Sequence, residues 1–154
     1  MHIQINELIE EKYDVEIEVM NTKSGVLTFP PLENGLSRKE QSFLNMAYTL
    51  AEASEVDKRH GAVIVKNGRV MSLGINKWRN KGLEQEHAYW QDILTVHAER
   101  DALSRVSDAR GAVVYIARVG KEGERLMSRP CWRCMKALAD AGVKRVIYTV
   151  GATN

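Results

Sequence analysis

Phe43, Leu44, Ala47, Leu50, Ala51 and Ala53 recur at near-helical spacing, and Ser37-x-x-Glu40 just before them reads as a capping box. A helix is therefore expected over residues 38–54. Gly61-Ala62-Val63-Ile64-Val65 is a short apolar run, followed by Lys66-Asn67-Gly68-Arg69 and a second run from Val70 to Ile75. Asn-Gly is the preferred two-residue hairpin turn because both central positions need positive φ, so these runs predict an antiparallel hairpin. Residues 76–85 are polar and read as a loop, and 85–94 as a short helix. Helices are expected over 96–105 and 131–141, the latter stopped by Gly142, and strands over 113–117 and 145–150, with a turn at 120–123.

Upstream, Asn6 caps an expected short helix over 7–12. Val15, Ile17 and Val19 alternate with Asp14, Glu16 and Glu18 as in a half-buried strand, and 26–29 reads as a second strand. Pro30-Pro31 and Asn34-Gly35 mark a joint. A segment of about 35 residues cannot build its own core. Residues 1–35 are thus expected to be an extension packed on a sheet edge, and 36–154 the main body of a single globular domain. A hairpin followed by helix–strand–helix–strand places the chain in the α/β class, as a three-layer α/β/α sandwich with a mixed central sheet.

Composition narrows the functional classes. The 154 residues are 44% hydrophobic, enough for one core, and 22 basic against 20 acidic residues leave a net charge of +2. That balance is not the mark of a nucleic-acid coat or an acidic tail. No apolar run approaches the roughly 20 residues of a membrane helix, and the N-terminus lacks a basic-then-apolar signal pattern. The expectation is a soluble, cytoplasmic protein with no membrane partner. The two cysteines form one Cys131-Trp132-Arg133-Cys134 motif. In a reducing compartment this spacing fits either a metal site or a redox pair, and composition does not choose.

His97-Ala98-Glu99 opens one expected helix and Pro130-Cys131 the next. Each motif alone is weak. A His-x-Glu is by default a surface or capping pair, and thioredoxin-type chemistry competes for a Cys-x-x-Cys. Together they supply one imidazole and two thiolates, three ligands for Zn²⁺ with a fourth tetrahedral position open, the pattern of catalytic zinc. Residues three apart on a helix share a face, so Cys131 and Cys134 can grip one ion, and a helix N-terminus favours thiolates. Pro130 suits helix entry. His97 and Glu99, two apart, cannot face the same way on a regular helix, so one must sit at an irregular first turn. That fits a ligand beside an acid that is not a ligand, and Glu99 is the candidate proton carrier.

His-Ala-Glu followed by Pro-Cys-x-x-Cys resembles the cytidine/deoxycytidylate-type zinc deaminase superfamily over roughly residues 37–150. The resemblance brings its mechanism with it. Zinc acidifies a water, and Glu99 passes its proton to the substrate's ring nitrogen and then to the leaving amine. It implies that Asn76 contacts the substrate sugar, that the Ala98 backbone contacts the base, and that the 61–65 stretch, including Ala62 and Val63, floors the pocket. It also implies homo-oligomers whose neighbouring subunits complete that pocket. The stretch between Asn76 and His97 is longer than in compact polynucleotide-editing relatives, as in deoxycytidylate deaminases. It carries Lys77, Arg79 and Lys81, a candidate phosphate-binding cluster that could equally be a solvated loop. The family usually adds a strand and a helix after the strand at 145–150, whereas this chain ends at Asn154. Residues 15–19, with 26–29, are expected to supply the missing sheet edge.

The reading is a zinc hydrolase that deaminates a cytosine-bearing nucleotide, dCMP to dUMP in type, releasing ammonia. Another free aminated base or nucleoside, a polynucleotide editor and a silent zinc scaffold are the alternatives. Of the remaining candidates, His60 and His87 read as ordinary turn or surface histidines. Trp132 is expected to pack on the sheet, although stacking on a base is the rival role. Trp78, Tyr89 and Trp90 serve as well for a buried face as for a pocket wall. Lys58 and Arg59 read as solvated, with a phosphate contact as the sharper option.

Overall fold

The computed structural model describes residues 25–29 (backbone), 36–79 and 95–150. Their elements are β1 (Gly25–Phe29), α1 (Arg38–Glu52), β2 (Arg59–Lys66), β3 (Arg69–Ile75), β4 (Lys77–Trp78), β5 (Thr95–Val96), α2 (Ala98–Leu103), β6 (Val113–Val119), β7 (Arg125–Leu126), α3 (Trp132–Asp140) and β8 (Arg145–Val150). The main sheet runs β1-β8-β6-β2-β3, with β7 paired to one end of β6. Only β6 and β8 are parallel, so the sheet is mixed as expected. The expected strand at 26–29 lies within β1, which pairs antiparallel along the outer side of β8. The expected helices over 7–12 and 85–94, the strand over 15–19, and Lys81, His87, Tyr89 and Trp90 lie outside the described residues.

Local signals explain the elements. The Ser37 hydroxyl accepts the Glu40 N–H (3.1 Å) while the Glu40 carboxylate accepts the Ser37 N–H (3.2 Å), the reciprocal cap read from sequence. In the hairpin, Asn67 and Gly68 have φ of 53° and 76°, as a two-residue turn requires. Gly142 ends α3 at φ 84°. One departure is the polar stretch after Asn76. Lys77 and Trp78 pair with Thr95 and Val96 as a small separate ladder, where a loop was expected. The next helix accordingly starts at Ala98, two residues later than the pattern suggested.

The inner strands β2, β6 and β8 are buried on both faces. Phe43, Leu44, Ala47 and Ala51 of α1 pack against Val63, Val65, Tyr115 and Ile147 on one side. Ala98 and Ala102 of α2 and Met135 and Leu138 of α3 pack against Ala62, Ile64, Val114 and Ile116 on the other. Alternate residues of β2 and β6 thus feed opposite layers, the period-two rule that makes the three-layer sandwich. Two glycines set how closely the helices approach. A Cβ on Gly61 would collide with the Ala47 carbonyl and the Ala51 amide of α1. A Cβ on Gly74, which pairs with Ala62 across the hairpin, would collide with the Ala98 carbonyl and the Ala102 amide of α2. Because those obstacles are helix backbone, they cannot swing aside. Gly61→Ala is expected to destabilise by about 1–3 kcal/mol, a Tm loss of roughly 2–4 °C per kcal/mol readable by thermal melts.

Candidate functional site

The two helices on the second face begin side by side. His97 is the N-cap of α2, with φ −70° and ψ 149°, and Cys131 is the N-cap of α3, with φ −65° and ψ 164°. Extended backbone at both caps resolves the spacing puzzle. His97 stands at the irregular position while Glu99 sits inside the first turn and is buried. Pro130 precedes the Cys131 cap by one residue, not at the first helical position, so it fixes the approach of the chain rather than the first turn.

His97 makes no side-chain cap, which leaves its ring for the cysteines. His97 Nδ1 lies 3.2 Å from Cys134 Sγ and 3.7 Å from Cys131 Sγ, and the three ligand atoms are all within 4.8 Å of one another. Ordinary zinc–sulfur and zinc–nitrogen bonds at a tetrahedral angle put N and S about 3.6 Å apart. The donor set therefore fits one zinc ion without rearrangement, and the composition of the shell, one imidazole and two thiolates, suits zinc chemically. Cys131 Sγ accepts the Cys134 N–H, a cap made with sulfur. The hydrogen bond from the Cys134 thiol, more than any other contact, draws the Cys131 thiol down to about 3, and the same shared proton drives Cys134 up. Burial pushes the Glu99 carboxyl above the usual carboxylate range.

Two polar networks fix the helix starts. Asp101 of α2 accepts the Ile75 N–H (3.1 Å) and pairs with Lys77 and Arg105, both at 2.9 Å. Burial alone would raise its carboxyl, but these partners outweigh burial and hold it below the ordinary aspartate value. Before α3, the buried Ser128 hydroxyl donates to Ile116 O (2.8 Å) and accepts the Thr149 N–H (2.7 Å), tying the approach segment across β6 and β8.

A cavity of ≈ 330 Å³ opens beside the metal ligands. His97, Ala98, Glu99 and Cys131 form one wall. Asn76, Lys58, His60, Arg118 and Arg129 form much of the rest. Asn76 lines the cavity, and its amide is engaged. Oδ1 accepts from the Ser54 hydroxyl (2.7 Å) and the His60 N–H (2.8 Å), and Nδ2 donates to Lys58 O. It thereby pins the loop that frames the opening.

Several expectations require correction. Ala62 and Val63 do not floor the cavity. Both are fully buried, Ala62 under α2 and α3 and Val63 under α1, and it is His60, two residues earlier on the Ala62 face, that reaches the opening. Lys77 does not line this cavity, and its ammonium pairs with Asp101 at 2.9 Å. Arg79 lines a neighbouring, more open hollow with Arg100, Trp132 and Arg133. Trp132 does not pack on the sheet. It is 43% exposed, with the Arg133 guanidinium 5.5 Å above its ring. Sequence reasoning missed Asp101, Ser54, Arg118 and Arg129. For Arg118 a signal existed, since it stands at the end of the Val114–Ile116 alternation.

Residues 37–150 match the family model for the cytidine and deoxycytidylate deaminase zinc-binding region. In structure the chain is similar to the dCMP deaminase of cyanophage S-TIM5 in its apo form, at 25% identity over 68% of this chain and 76% of that one, with a TM-score of 0.52. The complex of that protein with dCMP and dUMP gives 22% identity over 70% and 79%, with a TM-score of 0.53. No curated protein sequence matches the chain. Among the described residues no helix is long and apolar enough to cross a membrane.

Replacing Cys134 by Ala is expected to abolish zinc retention in elemental analysis and to lower Tm, because the ion joins two helix ends. Unchanged zinc content would contradict the ligand set. For Asp101 the folded pKa is depressed, so its contribution to stability is full above its unfolded value near 4. That contribution is lost as pH falls through the lower folded value. Asp101→Asn should therefore lower Tm near neutrality and shrink the difference from the unsubstituted protein in melts taken progressively below about pH 4.

Proposed function

The chain belongs to the cytidine and deoxycytidylate deaminase zinc-binding family, and we propose that it removes the exocyclic amine of a cytosine-bearing mononucleotide, converting dCMP to dUMP and releasing ammonia. The observation that carries this reading is the buried Glu99 in the wall of the same cavity as His97 and Cys131. When bound, zinc supplies a nucleophile at neutral pH by lowering the pKa of water. The protein's own groups do the rest. Glu99, buried in this wall, would take one proton from the attacking water and give it to the ring nitrogen, then take the second proton from the new hydroxyl and give it to the amine, which leaves as ammonia. Ala98, at the start of α2, offers its backbone to the base. Asn76 keeps the rim in place beside the sugar. The cyanophage dCMP deaminase supports the choice of nucleotide through its likeness over most of both chains.

A polynucleotide substrate is the second reading. It is favoured by the exposed Trp132 beside Arg79, Arg100 and Arg133, since an aromatic face among cations is how unpaired bases are held. Ammonia release from dCMP, deoxycytidine, cytidine and a cytosine-containing single-stranded oligonucleotide separates the two. The expected order puts dCMP first, and an oligonucleotide preference would overturn the mononucleotide reading. Glu99→Gln is expected to keep zinc and lose about 10²–10⁴ in kcat. Turnover surviving that change would remove Glu99 from the reaction.

A further inference from the structure

The cavity that holds Glu99 is also lined by Lys58, Arg118 and Arg129, and their chemistry is unused by the reaction just described. On β6, Val114 and Ile116 point into the core under α2 and α3, and Arg118 continues the same row. On β2, Ile64 and Ala62 do likewise, and His60 continues that row. His60 and Arg118 are register partners across the antiparallel pair, so their side chains emerge together. The row turns from apolar to basic at the point where the helices end and the cavity begins.

Arg118 is short of partners. Its Nε is buried without a hydrogen bond, and among the described residues no carboxylate pairs with its guanidinium or with the Lys58 ammonium. Arg129 adds a third cation to the lining, and Glu99 is the one acid there among the described residues. His60 does not add a charge. Burial first, then Arg118, His97 and Lys58, lower its pKa to about 4 against the opposing bond from its Nδ1 to Lys58 O (3.0 Å), so it is neutral at physiological pH. A buried N–H left without an acceptor is costly, and a guanidinium fork pairs bidentately with the oxygens of a phosphate.

We infer that Arg118, supported by Lys58 and Arg129, forms the phosphate-reading wall of the cavity and selects a nucleoside monophosphate over the nucleoside. The assignment rests on the deaminase reading for the position of the base. It relocates phosphate recognition from the stretch after Asn76, where Asp101 holds Lys77, to the ends of β2 and β6 and the approach to α3. The anion would sit against the sheet while the base faces Glu99 and the metal ligands.

The test uses the zinc-loaded full chain and its Arg118→Gln and Lys58→Gln variants, with zinc content and Tm measured for each. Calorimetry with dUMP and deoxyuridine gives the preference for the phosphate without turnover, and kcat/KM for dCMP over deoxycytidine gives it with turnover. Arg118→Gln is expected to cut both preferences at least 10-fold, chiefly through KM, and Lys58→Gln to cut them less. If Arg118→Gln loses zinc or melts early, the exposed Lys58 position carries the same comparison. Preferences unchanged by a folded variant, or an unsubstituted protein that binds deoxyuridine as tightly as dUMP, would overturn the assignment. Should no cytosine compound release ammonia while dUMP binding still depends on Arg118, the deaminase reading falls and the phosphate wall stands.

Discussion

Two helices on one face of the sheet must begin at the same place, because the three metal-binding atoms come from their first residues. Each start is held by a different part of the sheet. Asp101 ties α2 to the end of β3 and to Lys77, and Ser128 ties the approach to α3 onto β6 and β8. Gly74 lets α2 lie close enough for this geometry. With the starts fixed, the first turns of α2 and α3 converge, and Cys131 is favoured as a thiolate while Cys134 keeps the shared proton. The ligand triad is thus a consequence of sheet-level anchoring rather than of the two motifs alone.

The same sheet divides the cavity. Period-two alternation sends Ala62 and Ile64, Val114 and Ile116 into the core, and the next residues outward in those rows are His60 and Arg118. Where α2 and α3 stop covering the face, an apolar side chain would be exposed to water and a polar one can reach the opening. Asn76 secures that opening from the third side through Ser54, His60 and Lys58. Its amide spends its hydrogen bonds on protein, so its part in the site is to hold the frame.

What was legible in the sequence is what depends on neighbours along the chain. The Ser37–Glu40 cap, the Asn67-Gly68 turn and the His97 and Cys131–Cys134 ligands are all local patterns, and all are found. The pocket floor was misplaced for a physical reason. A strand's two faces go to different layers, and naming the whole 61–65 run as floor ignored that Val63 faces α1 while Ala62 lies too deep under α2. The Lys77–Asp101 pair was not legible because Asp101 is remote in sequence and becomes a neighbour only when α2 docks on β3. Trp132 was expected to pack because it is large and apolar, but an N-terminal first turn leaves the residue after the cap facing outward.

Charge accounting bears on how an anionic substrate would be read. A neutral imidazole and two thiolates cancel the charge of Zn²⁺, so the loaded metal shell adds no net attraction for an anion. An ionised Glu99 beside it would repel one. Any pull on a phosphate would therefore come from elsewhere in the lining, where Lys58, Arg118 and Arg129 are the cations among the described residues. They stand before β2, on β6 and before α3. Changes to that wall can alter which ester of the nucleoside is taken without altering the metal shell, because the two share a cavity but not their anchoring contacts.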